Sequence, residues 1–358
     1  MGISDETFIA RSTERSLGTV DDHAQLRRKP ATLRAVAAEA GVSTATASKA
    51  LNGITVSALN LERVHAAAEA LGYAPNVTAR SFRGPRTMTI GIVMNFDTHP
   101  ATEFMTLVDR AITEMEDNGY SVLLSRPRSA GVDSVLRRMF ERRVDGLFYW
   151  NAQPADSLDL YRDAGIPVLA VAYKSPGCPD LPLISADSRP AYRQLFALLR
   201  KLGHDRVNDL SHFTSSEAHR AVAESQKLIY QHVDLGFDRD KVREFIESLS
   251  KPDGPTALLA PFPSALQLLS AFGDLGIAVP EQVSLISLMD SEAAALLRIP
   301  LTAMRTDYDA LGRASAKAML EALAGGIMDD TFLPDIVELV ERSSVGPAAS
   351  GAQRPRGM

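Results

Sequence analysis

Residues 32–53 run Thr32-Leu33-Arg34-Ala35-Val36-Ala37-Ala38-Glu39-Ala40-Gly41-Val42-Ser43-Thr44-Ala45-Thr46-Ala47-Ser48-Lys49-Ala50-Leu51-Asn52-Gly53. The stretch reads as two short helices joined by a tight turn. Thr32 is placed to cap the first helix, and Leu33, Val36, Ala37 and Ala40 fall at helical spacing. Gly41 stands where the first helix must end in a left-handed residue, a region that glycine enters without steric cost. Ser43 is a second cap. Ala47, Ala50 and Leu51 then make an inner face, while Thr44, Ala45, Ser48 and Lys49 make an outer one. Small residues on both inner faces let the helices cross closely, the organisation of a helix-turn-helix.

Working outward, Ser57 opens a third helix in which Leu61, Val64, Ala68 and Leu71 recur at spacings of three and four before Gly72 stops it. Tyr73-Ala74-Pro75 breaks the pattern. Residues 76–83 can form about two helical turns before Gly84-Pro85, too few to be stable alone in water. Charge follows the same division. Residues 27–86 hold nine Lys/Arg against three acids, a net of +6, whereas residues 1–26 carry −3 and residues 87–358 carry −9. A basic module joined to an acidic body points to a polyanion partner for one part only. Residues 1–30 lack a sustained period and read as a tail.

From Thr87 the texture changes. Apolar runs at Thr89–Phe96, Ser121–Leu124, Val144–Trp150, Ile166–Tyr173, Thr256–Leu259 and Val283–Met289 alternate with helical patterns at 104–118, 132–142, 189–202 and 263–275. Such alternation means a parallel α/β sheet, in one large domain or two similar halves. The 358 residues are 45% hydrophobic and 23% charged, which excludes a wholly disordered chain. The single cysteine excludes an internal disulfide framework and a multi-cysteine zinc site. No apolar run is long enough to span a membrane, and the first 26 residues lack the apolar centre of a secretory signal, so a cytoplasmic protein is expected. Dinucleotide, Walker A, nucleophile-elbow and HExxH motifs are all missing. The seven histidines are scattered; His204, His212 and His219 lack ligand spacing and read as surface or loop residues, so neither metal nor cofactor is expected.

The segments Thr32–Ala37, Ala40–Ser43, Thr46, Ser48-Lys49, Leu51–Gly53, Val56-Ser57, Leu71–Asn76, Ala79–Ser81, Thr89–Val93, Val144–Gly146, Gly165–Val168, Leu202–His204, Pro300–Thr302 and Arg305 together resemble the LacI/GalR family of bacterial transcription regulators. The resemblance covers residues 31 to 345. It implies an N-terminal helix-turn-helix headpiece and a hinge helix. After them comes a two-subdomain, doubly wound α/β core like that of periplasmic binding proteins, with an effector in the cleft. In those terms the chain divides into a tail (1–30), a DNA-binding domain (31–75), a hinge (76–86), an effector-binding and dimerisation core (87–345) and a loose C-terminal tail (346–358).

The family binds double-stranded, pseudo-palindromic operator DNA as a homodimer, with the second helix in the major groove. By resemblance Thr44, Ala45 and Lys49 occupy base-reading positions, and Lys49 can donate to guanine O6/N7. Thr32, Ser43, Thr46, Ser48 and Asn52 match positions that hold phosphates or close the turn. Arg80 and Phe82 fall on the hinge. Phe82 stands where the family usually has leucine, either as a wedge between base steps or as a packing residue. Two smaller departures are Ala47 in place of a valine and a loop before Val56 that is one residue short.

The cleft departs further. Ala260-Pro261-Phe262-Pro263 stands where the family often has an Asn-Asp pair, Ser287-Leu288-Met289-Asp290 keeps one acid of a Gly-Phe-Asp-Asp stretch, and Ala172-Tyr173 replaces Asp-Arg. Arg220 or His219 best matches the family's effector-clamping arginine. Phe104, Trp150, Tyr173, Asp187, His219, Arg220, Phe262 and Asp290 are the candidate effector residues. For three of them a structural role is open: Phe104 as core, Trp150 as cover for a sheet end, Asp187 as cap of the helix near Pro190. The pattern implies a small-molecule effector, a sugar or related metabolite, held more by stacking than by carboxylate hydrogen bonds. An effector-independent repressor is the alternative. A solute-binding protein or an enzyme on the same scaffold is disfavoured by the basic headpiece and the missing motifs.

Overall fold

The structure, a computed structural model, describes residues 31–51, 55–73, 86–94, 102–127, 131–150, 155–173, 178–211, 216–235, 239–251 and 253–350. Asn52, Arg80, Phe82 and His212 lie outside the described residues, as does most of the hinge and all of the N-terminal tail. The chain forms two units, Met1–Pro85 and Arg86–Met358.

In the first unit, α1 spans Leu33–Glu39, α2 Thr44–Leu51 and α3 Ala58–Ala70. The Thr32 hydroxyl accepts from the Ala35 amide at 3.2 Å, and Gly41 adopts φ +65° between α1 and α2. The Ser43 hydroxyl accepts from the Thr46 amide at 3.0 Å and shares a hydrogen bond with Thr46 Oγ1 at 2.9 Å, so Thr46 closes the turn through its side chain as well as its amide. Val36, Ala37, Ala40, Ala47, Ala50, Val64, Ala67 and Ala68 form a core of mostly alanine, small side chains that suit close helix packing. Two details of α3 differ from the spacing argument. Ser57 sits at the N-cap position but makes no side-chain cap bond. Leu61 and Leu71 are exposed, because the inner face turns on Val64, Ala67 and Ala68.

The second unit holds two six-stranded sheets. In chain order its elements are β1 Thr89–Met94, α4 Thr102–Asp117, β2 Ser121–Ser125, α5 Gly131–Glu141, β3 Gly146–Trp150, α6 Leu158–Asp163, β4 Val168–Val171 and β5 Leu183–Ala186. There follow α7 Arg189–Lys201, β6 Arg206–Asp209, α8 Ser216–Ser225, β7 Ile229–His232, α9 Arg239–Ser248, β8 Ala257–Ala260, α10 Phe262–Leu275, β9 Ser284–Ser287 and α11 Glu292–Leu296. The last elements are β10 Thr302–Thr306, α12 Tyr308–Leu323, β11 Thr331–Leu333 and β12 Val337–Val340.

One sheet runs β11-β5-β4-β3-β1-β2, all parallel; the other runs β12-β10-β9-β8-β6-β7, parallel except for the β10–β12 pair. Each sheet has a packed layer on both faces. On the first, α4 and α12 cover Ile90, Ile92 and Phe148, while α5 and α6 cover Leu147, Tyr149 and Ala170. The second sheet buries Leu258 and Leu285 under α9 and α10 on one face, and Val207, Leu259 and Ile286 under α7 on the other. This is the double winding that the alternating runs imply. Asp145, before β3, accepts from the Thr87 and Met88 amides at 2.9 and 2.7 Å and so pins the entry to β1.

Two expectations are corrected. The C-terminal segment is not loose up to Ala349. Ser344 is fully buried, its hydroxyl accepting from the Thr302 amide at 2.8 Å, and the Ala348 amide donates to the Leu202 carbonyl. The residues meant to be a tail pack because their polar groups satisfy those of the second sheet. Likewise His204 is not a surface histidine. It is fully buried, with Nδ1 2.8 Å from Thr256 Oγ1 and Nε2 3.0 Å from the Gly346 carbonyl, so it anchors that same segment.

Candidate nucleic-acid and effector sites

On the first unit, Thr44, Ala45 and Lys49 are exposed along the outer side of α2, and Ser48 is half-buried beside them. Ala47 and Ala50 are buried on the opposite side. The first turn of α2 contains no acidic residue. No carboxylate therefore offsets the positive end of the helix dipole beside the exposed Thr44, an arrangement suited to phosphate and base-edge acceptors. Thr32 and Ser43 are exposed caps at the starts of the two helices. The structure thus brings six of the seven described candidates for nucleic-acid contact onto one helix and its turn, with Thr32 at the start of α1.

In the second unit the effector candidates separate into two groups. Four are packed or ion-paired within the protein. Phe104 and Trp150 are closed to solvent, with ring centroids 6.3 Å apart edge to face; Trp150 also stacks on Phe148 at 5.6 Å, and Phe104 meets Tyr308 edge to face at 5.9 Å. Both belong to the buried cluster under α4 and α12, and the buried indole N–H of Trp150 has no hydrogen-bond partner among the described residues. Asp187 accepts from the Arg189 guanidinium through both oxygens at 2.8 Å, which holds its carboxyl below the usual range. It also accepts from the Arg189 amide, but the N-cap of α7 is Ser188. Asp290 is buried between Arg342, 2.7 Å away, and Arg305, 2.8 Å away. Burial alone would raise its pKa, but the hydrogen bonds and charges of the two arginines more than offset that and hold it down.

The remaining four sit differently. Tyr173 is half-buried two residues beyond β4, after Ala172 at φ +68°. Phe262 is half-buried as the first residue of α10, packed against the core of the second sheet. Arg220 is exposed on α8. His219, its neighbour, is buried: its ring lies on that of Tyr192 with centroids 3.6 Å apart and planes 15° apart, and Nε2 is 3.0 Å from Ser188 Oγ. Of the two residues weighed as the effector-clamping position, only Arg220 reaches solvent. Burial pushes the His219 imidazole down to about 4, and Asp209 opposes this only in part.

Around that stack the chain places groups that the sequence reading left out. Asp209 ends β6, buried, and accepts from the Ser211 amide at 2.9 Å and from the Tyr230 hydroxyl. Tyr192 is deeply buried, and desolvation raises its pKa well above the ordinary value. No strong sequence signal marked Asp209, since β6 reads Arg206-Val207-Asn208-Asp209 with a single apolar residue. Among the described residues no group of three His, Cys, Asp or Glu side chains could hold a metal ion, and no helix is long and apolar enough to cross a membrane.

Residues 32–76 match the model for bacterial regulatory proteins of the lacI family. Residues 87–231 match that for periplasmic binding proteins and the sugar binding domain of the LacI family, and residues 182–345 that for the periplasmic binding protein-like domain. The HTH-type transcriptional regulator AglR of Rhizobium meliloti is 27% identical over 356 residues, spanning 91% of this chain and 97% of that protein. The HTH-type transcriptional repressor PurR of Photobacterium profundum is also 27% identical, over 88% of this chain and 98% of the relative. The structure of the lac repressor dimer bound to operator and the anti-inducer ONPF superposes with a TM-score of 0.73 at 24% identity, over 89% of this chain and 100% of that one, and so shares its fold. The relatives are transcription regulators, not enzymes. With a lacI-type helix-turn-helix followed by the periplasmic-binding-protein core, the chain belongs to the lacI family of bacterial regulatory proteins.

Proposed function

We propose that the chain is a cytoplasmic, sequence-specific transcription regulator, acting as a repressor. In this reading a homodimer binds a pseudo-palindromic operator, and a small molecule between the two subdomains sets its affinity. The observation that carries the reading is the outer side of α2, where Thr44, Ala45 and Lys49 stand exposed on a helix whose other side is buried alanine. Phosphate contacts from Thr32, Ser43, Thr46, Ser48 and Asn52 fix register, and base contacts from the outer residues give sequence preference. Arg80 and Phe82 complete the contact through the hinge.

For the effector, parallel strands of both sheets present their carboxyl ends, where open α/β folds bind ligands. Asp290 is ion-paired with two arginines, and Phe262 stands at the head of α10. That leaves Tyr173, Phe262 and Arg220 as the contacts: two rings and a cation. They favour a metabolite with flat or apolar faces and an acceptor for the guanidinium, including a sugar that stacks on rings. The same engagement of Asp290 also favours the alternative of a repressor without an effector. Selection of bound fragments from genomic DNA tests the main reading: a shared palindromic motif supports it. Binding with no preference over bulk competitor at moderate ionic strength, with and without cell extract, overturns it.

A further inference from the structure

The chain passes between the two sheets three times: at residues 187–188 between β5 and α7, at Asp307 between β10 and α12, and at 334–336 between β11 and β12. These crossings are bonded to one another. The Asp187 amide donates to the Leu333 carbonyl at 2.8 Å, and the Asp307 amide donates to the Ile336 carbonyl at 2.8 Å. The third crossing therefore holds the other two, and Asp335, between its two acceptors, sits in the left-handed region at φ +58°. A non-glycine residue there is held by its surroundings rather than by its own preference.

Ser188 follows Asp187 directly. It occupies the N-cap position of α7, yet its hydroxyl makes no cap bond; it meets His219 Nε2 instead. Tyr192, one turn further along α7, supplies the ring on which the imidazole lies. His219 thus grips α7 at two points beside the first crossing. On α8 it precedes the exposed Arg220, and the far end of α8 is held by a short turn through Lys227 at φ +60° into β7.

We propose that His219 is a positioning residue that couples α8 to the three crossings between the sheets. A displacement of the arginine-bearing helix passes through the His219–Ser188 hydrogen bond to Asp187, and from there through the Leu333 and Ile336 carbonyls to all three crossings. This deepens the effector reading and rests on it for one point only, that a ligand acts on α8. The route is contiguous and made of bonds, the kind of link a two-state element needs if an effector is to bias it.

Hydrogen exchange on the full-length chain, read by mass spectrometry, tests the coupling without any effector. Ser188→Ala removes the hydroxyl and no cap bond. His219→Phe keeps the stack and loses the ring nitrogen. Each is expected to speed exchange of the Asp187 and Asp307 amides roughly five- to tenfold, the equivalent of about one hydrogen bond, while peptides from β8 and β9 are unchanged. The double variant should do no more than either single one. Unchanged exchange at Asp187 in Ser188→Ala overturns the proposal, and so does a change at Asp187 that leaves Asp307 untouched. Acceleration across every peptide in His219→Phe would mark a general loss of stability, and the Ser188→Ala result then decides. Arg220→Ala separates the two readings: if it too speeds the crossings, Arg220 belongs to the scaffold and the effector reading of it fails, while the coupling stands.

Discussion

Lys49 stands on the outer side of α2, away from the alanines that pack α2 against α1 and α3. Its removal should leave the fold intact and act on recognition alone. A base contact by one side chain is worth about 1–3 kcal/mol of discrimination. Lys49→Ala is therefore expected to relax the selected motif at one position in each half-site, with a melting temperature unchanged; an identical consensus from the variant would remove Lys49 from the reading surface. Asp290 shows the opposite case, a residue matched to an effector position that the structure uses as an ion-pair partner. Its folded carboxyl binds a proton less readily than the unfolded one. Below the unfolded value near 4 the unfolded chain therefore takes up more protons, so stability rises with pH through that window and is lost as pH falls toward the lower folded value. Asp290→Asn should flatten this part of the urea-melt profile between about pH 2 and 5. At neutral pH it should cost about 3 kcal/mol, since Arg342 would keep its burial and lose its counter-charge. A variant whose acid limb matches the parent would show that other carboxylates govern that limb.

The elements that sequence periodicity marks are those with long apolar faces. The six apolar runs fall on β1, β2, β3, β4, β8 and β9, and the four helical patterns on α4, α5, α7 and α10. The short edge elements were not legible. In β7, Ile229 is exposed and Tyr230 buried, and β11 is three residues long with Phe332 half-exposed, so neither carries a strong pattern. The packing of the last described residues was hidden for another reason. It depends on His204, Ser284 and Thr302, groups far away in sequence that meet the segment only after the second sheet has formed. Gly312 belongs to this class as well. No turn requires it; it lies inside α12, where an added Cβ would stand 2.7 Å from the Leu107 carbonyl oxygen on α4 and 2.8 Å from Arg110 Cβ. Glycine permits the close crossing of the two helices that cover the first sheet. Gly312→Ala gains helix propensity but must push α4 away, so a net loss of about 1–3 kcal/mol is expected in chemical denaturation. A stabilised variant would mean that the crossing relaxes freely.

At the scale of the whole chain, what the sequence revealed most fully is its division of charge, and what it revealed least is which cleft residues are free to meet a ligand. The first follows from the order of charged residues along the chain; the second depends on burial and on ion pairs such as Asp187 with Arg189, formed between side chains whose types say nothing about their partners. The charge division has a consequence that needs no knowledge of operator or effector. The region 27–86 carries +6 while residues 87–358 carry −9, so attraction to a phosphate backbone is confined to one end and the body is repelled from it. Binding to any duplex should then be governed by counterion release from that end. A dimer making roughly six to ten phosphate contacts should lose about three to five powers of ten in affinity between 50 and 200 mM salt. The slope of log affinity against log salt should be steep and nearly the same for selected and random duplexes, because base contacts add specificity without adding charge. Fluorescence anisotropy of both duplexes across that salt range measures it. A shallow slope, or one steep only for the selected site, would place the dominant contacts elsewhere than on the cationic headpiece.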